Sequence, residues 1–397
     1  MKTLVLGASG QIGAYTVQDL VEFYKADVIA SSRKLANVKR AMTDLRLAKR
    51  VKMMELDARN TENVAKLAQA ERVDTIVNCA WYQTNLSVME ACLRAGVHYT
   101  DLGGLFDFTL KQLRLHEKWK NAGIKATIGL GSTPGLTNIA AAAGAAKLDK
   151  VDTINIYCSW GNTLATKEAG WPGYSIRTVM DEFTQEPVMW LNGKHVKQPV
   201  LSGETTVTMQ DPIGKITAYY VKHSEPATIG KYVGKGCRNV TFRIGFPSTD
   251  FSTFKTLKNL GFADTAPITV GDARVSPLDY LTAMYQNAIS KSRRERPPRA
   301  EYEYDAFRID VFGLRKESPT TVTYQIITWN DPKRGISSVR DTAVPPSVVS
   351  EWQATGKIKE AGVFPAEAAV DPIPFFIEIG KRKIRVEEHS TETRRYY

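Results

Sequence analysis

The segment that most restricts the possible folds is the glycine turn at residues 7–13, Gly-Ala-Ser-Gly-Gln-Ile-Gly. A short apolar run at residues 2–6 precedes the turn, and an amphipathic helix is predicted at residues 14–24. A strand, a glycine turn and a helix in this order are typical of the βαβ unit that binds a dinucleotide. The residues of the turn that are predicted to contact the cofactor are Gly7, Ser9, Gly10, Gln11, Ile12 and Gly13.

Each glycine has its own expected role in this unit. Gly7 would permit the tight turn, Gly10 would let the backbone approach a pyrophosphate, and Gly13 would let the helix lie close to the strand. The N-terminus of the helix would offer unpaired N–H groups and the positive end of its dipole to the phosphates. Because many turns use glycine, an ordinary βα turn is the alternative interpretation.

Strand and helix patterns alternate regularly as far as about residue 147. The predicted strands are residues 2–6, 27–31, 51–56, 74–79, 97–102 and 124–130, with predicted helices between them. This alternation predicts an α/β Rossmann domain, in which helices cover both faces of a doubly wound parallel sheet. Ligands of such sheets lie beyond the carboxyl ends of the strands. The residues after strand ends that are predicted to contact the cofactor are Asp57, Ala58, Cys79, Ala80 and Ser132.

The end of the second predicted strand favours NADP(H) over NAD(H). NAD-binding domains usually carry Asp or Glu at this point to bind the ribose 2′-hydroxyl. This chain has Ser31, Ser32 and Arg33 instead. Two hydroxyls and a guanidinium suit a 2′-phosphate, although Arg33 could also lie on the surface at the start of the next helix. Two roles are open for Asp57, which are contact with the adenine ring and capping of the following loop.

Beyond residue 150 the sequence pattern changes. The segments that alternate like antiparallel strands are residues 153–158, 205–209, 216–221, 239–246, 307–312 and 321–328. The predicted helices are residues 174–183, 251–260, 277–290 and 348–354. This pattern predicts a second domain of the α+β class.

Charge and cysteine content exclude several kinds of protein. The formal net charge is +11, but the basic residues are spread widely, and the densest run at residues 291–299 is broken by prolines. We therefore expect a solvated loop there and no nucleic-acid partner. No apolar run is long enough to cross a membrane, and because the first residues are predicted to form a strand, we expect them not to be a signal peptide. Four cysteines without a C-x-x-C pair predict reduced thiols in a cytoplasmic protein and no metal site.

Several motifs in a fixed order resemble those of the saccharopine dehydrogenase and lysine 6-dehydrogenase family. These motifs are residues 7–13, 96–101, 131–138, 173–175, 223–228 and 362–365. The resemblance extends over nearly the whole chain. It implies a Rossmann domain at residues 1–137, a substrate and dimerisation domain at residues 138–340, and a segment at residues 341–397 that packs back on the Rossmann domain. It also implies a homodimer that oxidises or reduces carbon–nitrogen bonds of an amino acid or polyamine with a nicotinamide cofactor.

Such a reaction requires the protein to hold the substrate and to manage one proton. The candidate catalytic residues belong to the fifth predicted strand, are expected to lead toward the crevice at its end, and are His98, Tyr99 and Asp101. Asp101 is favoured because two glycines leave the turn beside it open, and its alternative role is to cap the next helix. The residues predicted to bind the substrate are Thr133, Pro134, Asn138, Tyr174, Arg177 and His223.

The sequence allows a more specific comment on Thr133, Arg177 and His223. Thr133 stands where members of the family often have Asp. Arg177 could clamp a carboxylate through two parallel hydrogen bonds, or it could lie on a helix surface. His223 resembles part of the family's substrate-domain motif, or it could pair internally with Glu225.

Two classes of function fit the sequence. The first is an NAD(P)-dependent oxidoreductase acting on an amino acid or a related amine, with a polyamine dehydrogenase of the carboxynorspermidine type as a variant. The second is a non-catalytic redox sensor that binds NADP on the same scaffold. A complete substrate domain favours the enzyme.

Overall fold

The computed structural model describes residues 1–162, 175–245, 251–295, 303–330 and 337–393, with side chains described only to residue 288 in the third range. The strands are β1 (Lys2–Leu6), β2 (Asp27–Ser32), β3 (Lys52–Glu55), β4 (Thr75–Asn78), β5 (His98–Asp101), β6 (Lys125–Ile128), β7 (Lys150–Asn162), β8 (Val188–Leu191), β9 (Lys194–Lys197), β10 (Thr205–Thr208), β11 (Lys215–Tyr220), β12 (Asn239–Ile244), β13 (Ile268–Val270), β14 (Ala273–Val275), β15 (Glu303–Arg315), β16 (Ser318–Trp329), β17 (Gly362–Pro365) and β18 (Arg385–Glu392). The helices are α1 (Gln11–Phe23), α2 (Leu35–Asp44), α3 (Thr61–Ala70), α4 (Asn85–Ala95), α5 (Phe106–Leu113), α6 (His116–Asn121), α7 (Leu136–Ala146), α8 (Ile176–Thr184), α9 (Glu225–Tyr232), α10 (Ser252–Asn259), α11 (Pro277–Glu295), α12 (Arg340–Ala354), α13 (Ala366–Ala369) and α14 (Pro372–Gly380).

The first sheet has the Rossmann strand order. Its strands run β17-β6-β5-β4-β1-β2-β3 and pair in parallel. The strand order changes direction between β1 and β4, and a crevice forms at such a point beyond the carboxyl ends. The predicted α/β fold is therefore confirmed. The seventh strand, β17, comes from the C-terminal segment and was not among the predicted strands.

Helix α1 shows why the first unit folds as it does. Ala14, Val17, Leu20 and Val21 are buried on the side that packs against the sheet. Phe23, the last residue of α1, is 47% exposed, and the Arg382 guanidinium lies 4.0 Å from its ring centroid. Helix α1 also packs against α12 of the C-terminal segment.

The second domain is built on a mixed sheet with the strand order β10-β11-β12-β7-β15-β16-β18, and β8 and β9 form a hairpin beside β12. Helices α7, α12 and α14 share one large apolar core with the inner face of this sheet. The α+β class is confirmed. Strands β7 and β15 are roughly twice the predicted length, and β16 is also longer than predicted. Strands β8 and β9 were not predicted, since each has only four residues and β9 consists mostly of exposed polar residues.

The C-terminal segment joins both domains. Helix α12 packs on α1, β4 and β5, and β17 extends the first sheet, so the segment returns to the Rossmann domain as expected. Its last strand, β18, instead pairs with β16 of the second sheet. The predicted boundary at residue 137 falls inside α7, which belongs to the core of the second domain.

None of the helices in the described ranges is long and apolar enough to span a bilayer.

Candidate active site

The second domain lies over the carboxyl edge of the first sheet. Tyr82, which follows β4, donates a hydrogen bond to Asp181 of α8 at 2.8 Å. Thr133, which follows β6, donates to Glu225 at the start of α9. The space between these elements and the glycine turn is called the crevice below.

The glycine turn fits a pyrophosphate. Gly7 has a φ of +76°, and a Cβ there would lie 2.7 Å from the Cys79 carbonyl carbon. A Cβ on Gly13 would lie 2.4 Å from the Gly7 oxygen, so both glycines are required by close packing. Gly10 is exposed, and a Cβ there would meet only the Gly7 oxygen, at 3.3 Å. The open side of Gly10 and the first turn of α1, whose N-cap lacks a side-chain hydrogen bond, form an anion cradle.

The remaining turn residues surround this cradle. Ser9, Gln11 and Ile12 are half-buried at the entrance to the first turn of α1.

The predicted contact of Ser31 with a 2′-phosphate is wrong. Its side chain is fully buried and donates to the Val5 carbonyl oxygen at 3.1 Å. The register that pairs Ser31 with Leu6 turns this hydroxyl into the interior. Ser32 and Arg33 follow at the strand end, where Ser32 is half-buried and Arg33 is exposed.

A second arginine, which the sequence analysis missed, lies beside the same strand ends. The Arg59 Nε donates to Asp57 Oδ1 at 3.0 Å, and the Arg59 backbone N–H donates to that oxygen at the same distance. Asp57 therefore caps its loop, one of its two expected roles. The hydrogen bond from Arg59 and the more distant charge of Arg33 lower the pKa of Asp57. Ala58 between them is buried.

Residues after β4 form the wall of the crevice next to the glycine turn. Cys79 and Ala80 are half-buried, and the Ala80 N–H donates to the Asn78 side chain at 3.2 Å. Burial raises the pKa of the Cys79 thiol to about 12, so the thiol is neutral. It lies 3.7 Å from the Thr16 hydroxyl.

Asp101 does not reach the crevice. It is 0% exposed, and it accepts hydrogen bonds from the backbone of Gly103 and Gly129, both at 2.8 Å. Gln112 at 2.5 Å and the Tyr99 hydroxyl at 2.9 Å donate to its other oxygen. Asp101 therefore joins the loops that follow β5 and β6, and the predicted catalytic contact is wrong for it and for the equally buried Tyr99.

His98 lies at the wrong end of the sheet for catalysis. It is the first residue of β5 and pairs in register with Thr75, the first residue of β4. Its Nδ1 accepts a hydrogen bond from the Lys125 N–H at 3.2 Å. Burial lowers the pKa of His98 to about 4, so the imidazole is neutral at the amino edge of the sheet.

The loop after β6 takes its shape from tight packing. Pro134 is buried against Gly103, where a Cβ would lie 2.6 Å from its ring. The Asn138 side chain is also buried, accepts from the Gly135 N–H at 3.1 Å, and donates to Glu367 at 2.9 Å. Both residues support the loop and leave no side-chain polar group in the crevice, which corrects their predicted role as substrate contacts.

Ser132 and Thr133 remain half-buried at the tip of this loop. The Thr342 hydroxyl at the start of α12 bonds to the Ser132 hydroxyl at 3.0 Å. The two loop residues therefore stand between the second domain on one side and the C-terminal segment on the other.

His223 pairs internally, the alternative that the sequence left open. Its Nδ1 donates to Glu225 in a short hydrogen bond, and its Nε2 lies 3.7 Å from Glu182. The ring stacks on Phe242 with centroids 4.2 Å apart. Because the imidazole is only 6% exposed, the predicted contact with substrate is wrong.

Aromatic residues after β4 and charged residues of the second domain meet at one side of the crevice. The Arg177 guanidinium lies 5.5 Å from the centroid of the exposed Trp81 ring and forms an ion pair with Asp279. Because Asp279 already pairs with the Arg177 guanidinium, Arg177 does not offer the predicted clamp to a substrate carboxylate. Trp81, Tyr82 and Asp181 were not predicted from the sequence. A search for aromatic residues directly after β4 could have found Trp81 and Tyr82, but not Asp181. Tyr174 lies outside the described residues.

Comparison with known proteins agrees with this geometry. Residues 3–127 match the family described as saccharopine dehydrogenase NADP binding domain, and residues 131–384 match the saccharopine dehydrogenase C-terminal domain. Carboxyaminopropylagmatine dehydrogenase of Synechocystis is 26% identical over 96% of this chain and 95% of that protein. Carboxynorspermidine synthase of Vibrio cholerae is 24% identical over 66% of this chain and 67% of that protein.

A solved structure shows the same fold. Apo saccharopine dehydrogenase (L-Glu forming) from Saccharomyces cerevisiae superimposes with a TM-score of 0.74 over 98% of this chain and 99% of that chain, at 14% identity. The protein therefore belongs to the saccharopine dehydrogenase family, and it is a nicotinamide-dependent dehydrogenase of the class that acts on CH–NH or CH–NH2 groups.

Proposed function

We propose that the protein is an NADP(H)-dependent oxidoreductase of a polyamine-like secondary amine that carries a carboxylate. It would reduce the imine formed between an amine and a carbonyl compound, or oxidise the resulting secondary amine in the reverse direction. Both curated relatives are named for compounds of this kind, and one of them aligns over 96% of this chain.

The observation that carries the proposal is the mixture of aromatic rings and carboxylates at the crevice. Tyr82 bonds to the half-buried Asp181, and Trp81 already has a guanidinium over its ring. Aromatic faces attract cations, and a carboxylate makes charge-assisted hydrogen bonds with an ammonium group. This side of the crevice is therefore suited to a substrate that presents an amine.

The cofactor proposed is NADP(H) in preference to NAD(H). Bound NADPH would supply the hydride that reduces the carbon–nitrogen double bond. Gly10 and the start of α1 would hold its pyrophosphate, and Ser32, Arg33 and Arg59 would bind the 2′-phosphate. Support comes from the two arginines at the ends of β2 and β3 and from the absence of an acid on β2 beyond Asp27.

A homodimer is also part of the proposal. The second domain exposes several large apolar side chains on and beside the β13–β14 hairpin. These side chains are Leu260, Ile268, Val270, Tyr280 and Met284. Exposed large apolar side chains of this kind are suited to an interface if they form one patch, and light scattering of the purified protein would measure the mass of the particle.

The function is tested by a matrix of substrates. Purified protein and NADPH are mixed with short diamines, agmatine or lysine, each with and without an aldehyde acid or a keto acid, and loss of NADPH absorbance is followed. We expect NADPH to be oxidised only when both an amine and a carbonyl compound are present. The rate should be higher with diamines or agmatine than with lysine. The product should contain both carbon skeletons by mass spectrometry.

Two results would contradict the proposal. Faster turnover with lysine than with diamines or agmatine would indicate that the substrate is an amino acid. Tight NADPH binding without turnover of any pair would favour the redox sensor that the sequence also allowed.

A further inference from the structure

We propose that Thr133, Glu225 and His223 form a proton relay whose outer end is the Thr133 hydroxyl in the crevice. The inference rests on the proposed function, because it assigns the group that exchanges a proton with the substrate amine.

The first support is an unbroken row of hydrogen-bonded side chains. The Thr133 hydroxyl donates to one oxygen of Glu225, and the other Glu225 oxygen accepts from His223 Nδ1. His223 Nε2 then faces Glu182 at 3.7 Å. The row therefore leads from the loop after β6 into the second domain.

The second support is the way burial changes along the row. Thr133 is half-buried, whereas Glu225, His223 and Glu182 are buried. Since bulk water has little access to the three inner groups, a proton taken up at Thr133 passes to Glu225. The stacking of His223 on Phe242 holds the imidazole in the orientation that reaches both carboxylates.

The third support is charge. Burial alone would lower the pKa of His223, but Glu225 and, more weakly, Glu182 outweigh it and raise the pKa. These two carboxylates, from α9 and α8, are the charged groups that face the ring, and β12 contributes the apolar Phe242. The attraction between His223 and the two carboxylates holds the ring in place between Glu225 and Glu182.

The proton step balances without any change of oxidation state. A substrate ammonium must lose one proton before its nitrogen can attack a carbonyl carbon. The N–H bond breaks as the proton moves to the Thr133 oxygen, while the proton of Thr133 moves to Glu225. The same path run backwards protonates the amine product. Thr133 is thus the catalytic residue, and Glu225 and His223 are positioning residues.

Replacement of Thr133 separates this role from a structural one. Thr133→Val keeps the shape but removes the hydroxyl, and we expect kcat to fall by about 10²-fold. The dissociation constant for NADPH should stay within about threefold of wild type by fluorescence titration. Thr133→Ser restores the hydroxyl and should recover most of kcat.

Thr137→Val is the matched control. The Thr137 hydroxyl donates to the same Glu225 oxygen at 3.3 Å, but Thr137 is fully buried and away from the crevice. This variant therefore measures the purely structural loss, and kcat of Thr133→Val should be at least tenfold lower. The pH dependence of kcat should change in Thr133→Val and keep the wild-type form in Thr133→Ser.

The outcomes separate the two proposals. If wild type turns over an amine and a carbonyl compound, but Thr133→Val and Thr137→Val lose activity equally, the relay is refuted and the function stands. The relay is also refuted if Thr133→Ser fails to recover activity while binding NADPH normally. If wild type turns over no pair, the proposed function fails and the relay fails with it.

Discussion

Replacement of Arg382 by methionine should strongly destabilise the protein, because it removes the cation that pairs with the buried Asp19 carboxylate; its second partner, Glu378, keeps the ion pair with Lys381. Arg382 Nε donates to Asp19 Oδ1 at 3.0 Å, and Nη2 donates to Asp19 Oδ2 at 3.2 Å. The two side chains are 3% and 5% exposed. Asp19 belongs to α1, and Arg382 follows α14, so the pair joins the Rossmann domain to the C-terminal segment.

The expected loss of unfolding free energy is about 3–5 kcal/mol, the usual cost when one partner of a buried ion pair is removed. Ser347 would still donate to Asp19, but a hydroxyl cannot neutralise the carboxylate. At roughly 2–4 °C per kcal/mol for domains of this size, the melting temperature should fall by roughly 6–20 °C.

The loss should also depend on pH. Burial already raises the pKa of Asp19 against the effect of Arg382, and removal of the guanidinium raises it further. A carboxyl group whose folded pKa exceeds its unfolded value destabilises the folded state as pH rises through that window. The variant should therefore lose less stability at pH 5 than at pH 8.

Urea and thermal denaturation measure the effect, with Lys381→Met as the matched control. Lys381 is the adjacent cation and pairs with Glu378, but its side chain is 58% exposed, so its loss should cost less than about 1 kcal/mol. The double variant Asp19→Leu with Arg382→Met removes both charges and should recover much of the lost stability. The reasoning is refuted if Arg382→Met is no less stable than Lys381→Met, or if the double variant is no better than Arg382→Met.

Three further predictions concern the cofactor site and its surroundings. Arg33→Ser should raise the dissociation constant for NADPH by roughly ten- to a hundredfold, since a charge-assisted hydrogen bond contributes about 1.5–3 kcal/mol, and NADH binding should hardly change. Titrations with both cofactors at one salt concentration check this. An equal loss of affinity for NADPH and NADH would show that Arg33 does not bind the 2′-phosphate. Gly10→Val should abolish NADPH binding in equilibrium dialysis while the protein stays folded, because the valine Cβ branches would fill the anion cradle. If the folded variant still binds NADPH, the glycine turn is not part of the cofactor site. Burial raises the pKa of Glu367 from 4.5 to about 7, so this group lowers stability as pH rises from about 4.5 through 7. Glu367→Gln should therefore gain stability relative to wild type between pH 5 and pH 8 in urea denaturation, and parallel curves would contradict the shift.

The sequence located the elements that surround the crevice, because these elements depend on local pattern. The glycine turn, the loop after β6 and the ends of the parallel strands are all visible as short motifs, and strand ends of a parallel sheet meet at one edge. Arg59 was also within reach, since it follows the third predicted strand by a few residues and carries a charge of the right sign.

Several wrong predictions share one cause, which is that the direction of a side chain depends on distant partners. Asp101 is drawn inward by Gly129, which lies 28 residues further along the chain. The Glu225 partner of Thr133 is 92 residues away. His98 is a different kind of error, because the predicted strand at residues 97–102 already placed it near the amino end, opposite the edge where ligands of such sheets bind.

The contribution of β17 to the first sheet has a consequence for folding during synthesis. His116 contacts the Val363 carbonyl oxygen across 247 residues of sequence, so the ribosome must make the whole second domain before the edge of β6 can be covered. Until then the nascent Rossmann domain presents an unpaired strand edge, which is a template for wrong pairing with other chains. Emerging chains of this protein are therefore expected to need protection by chaperones for longer than a Rossmann domain whose strands are all encoded in succession.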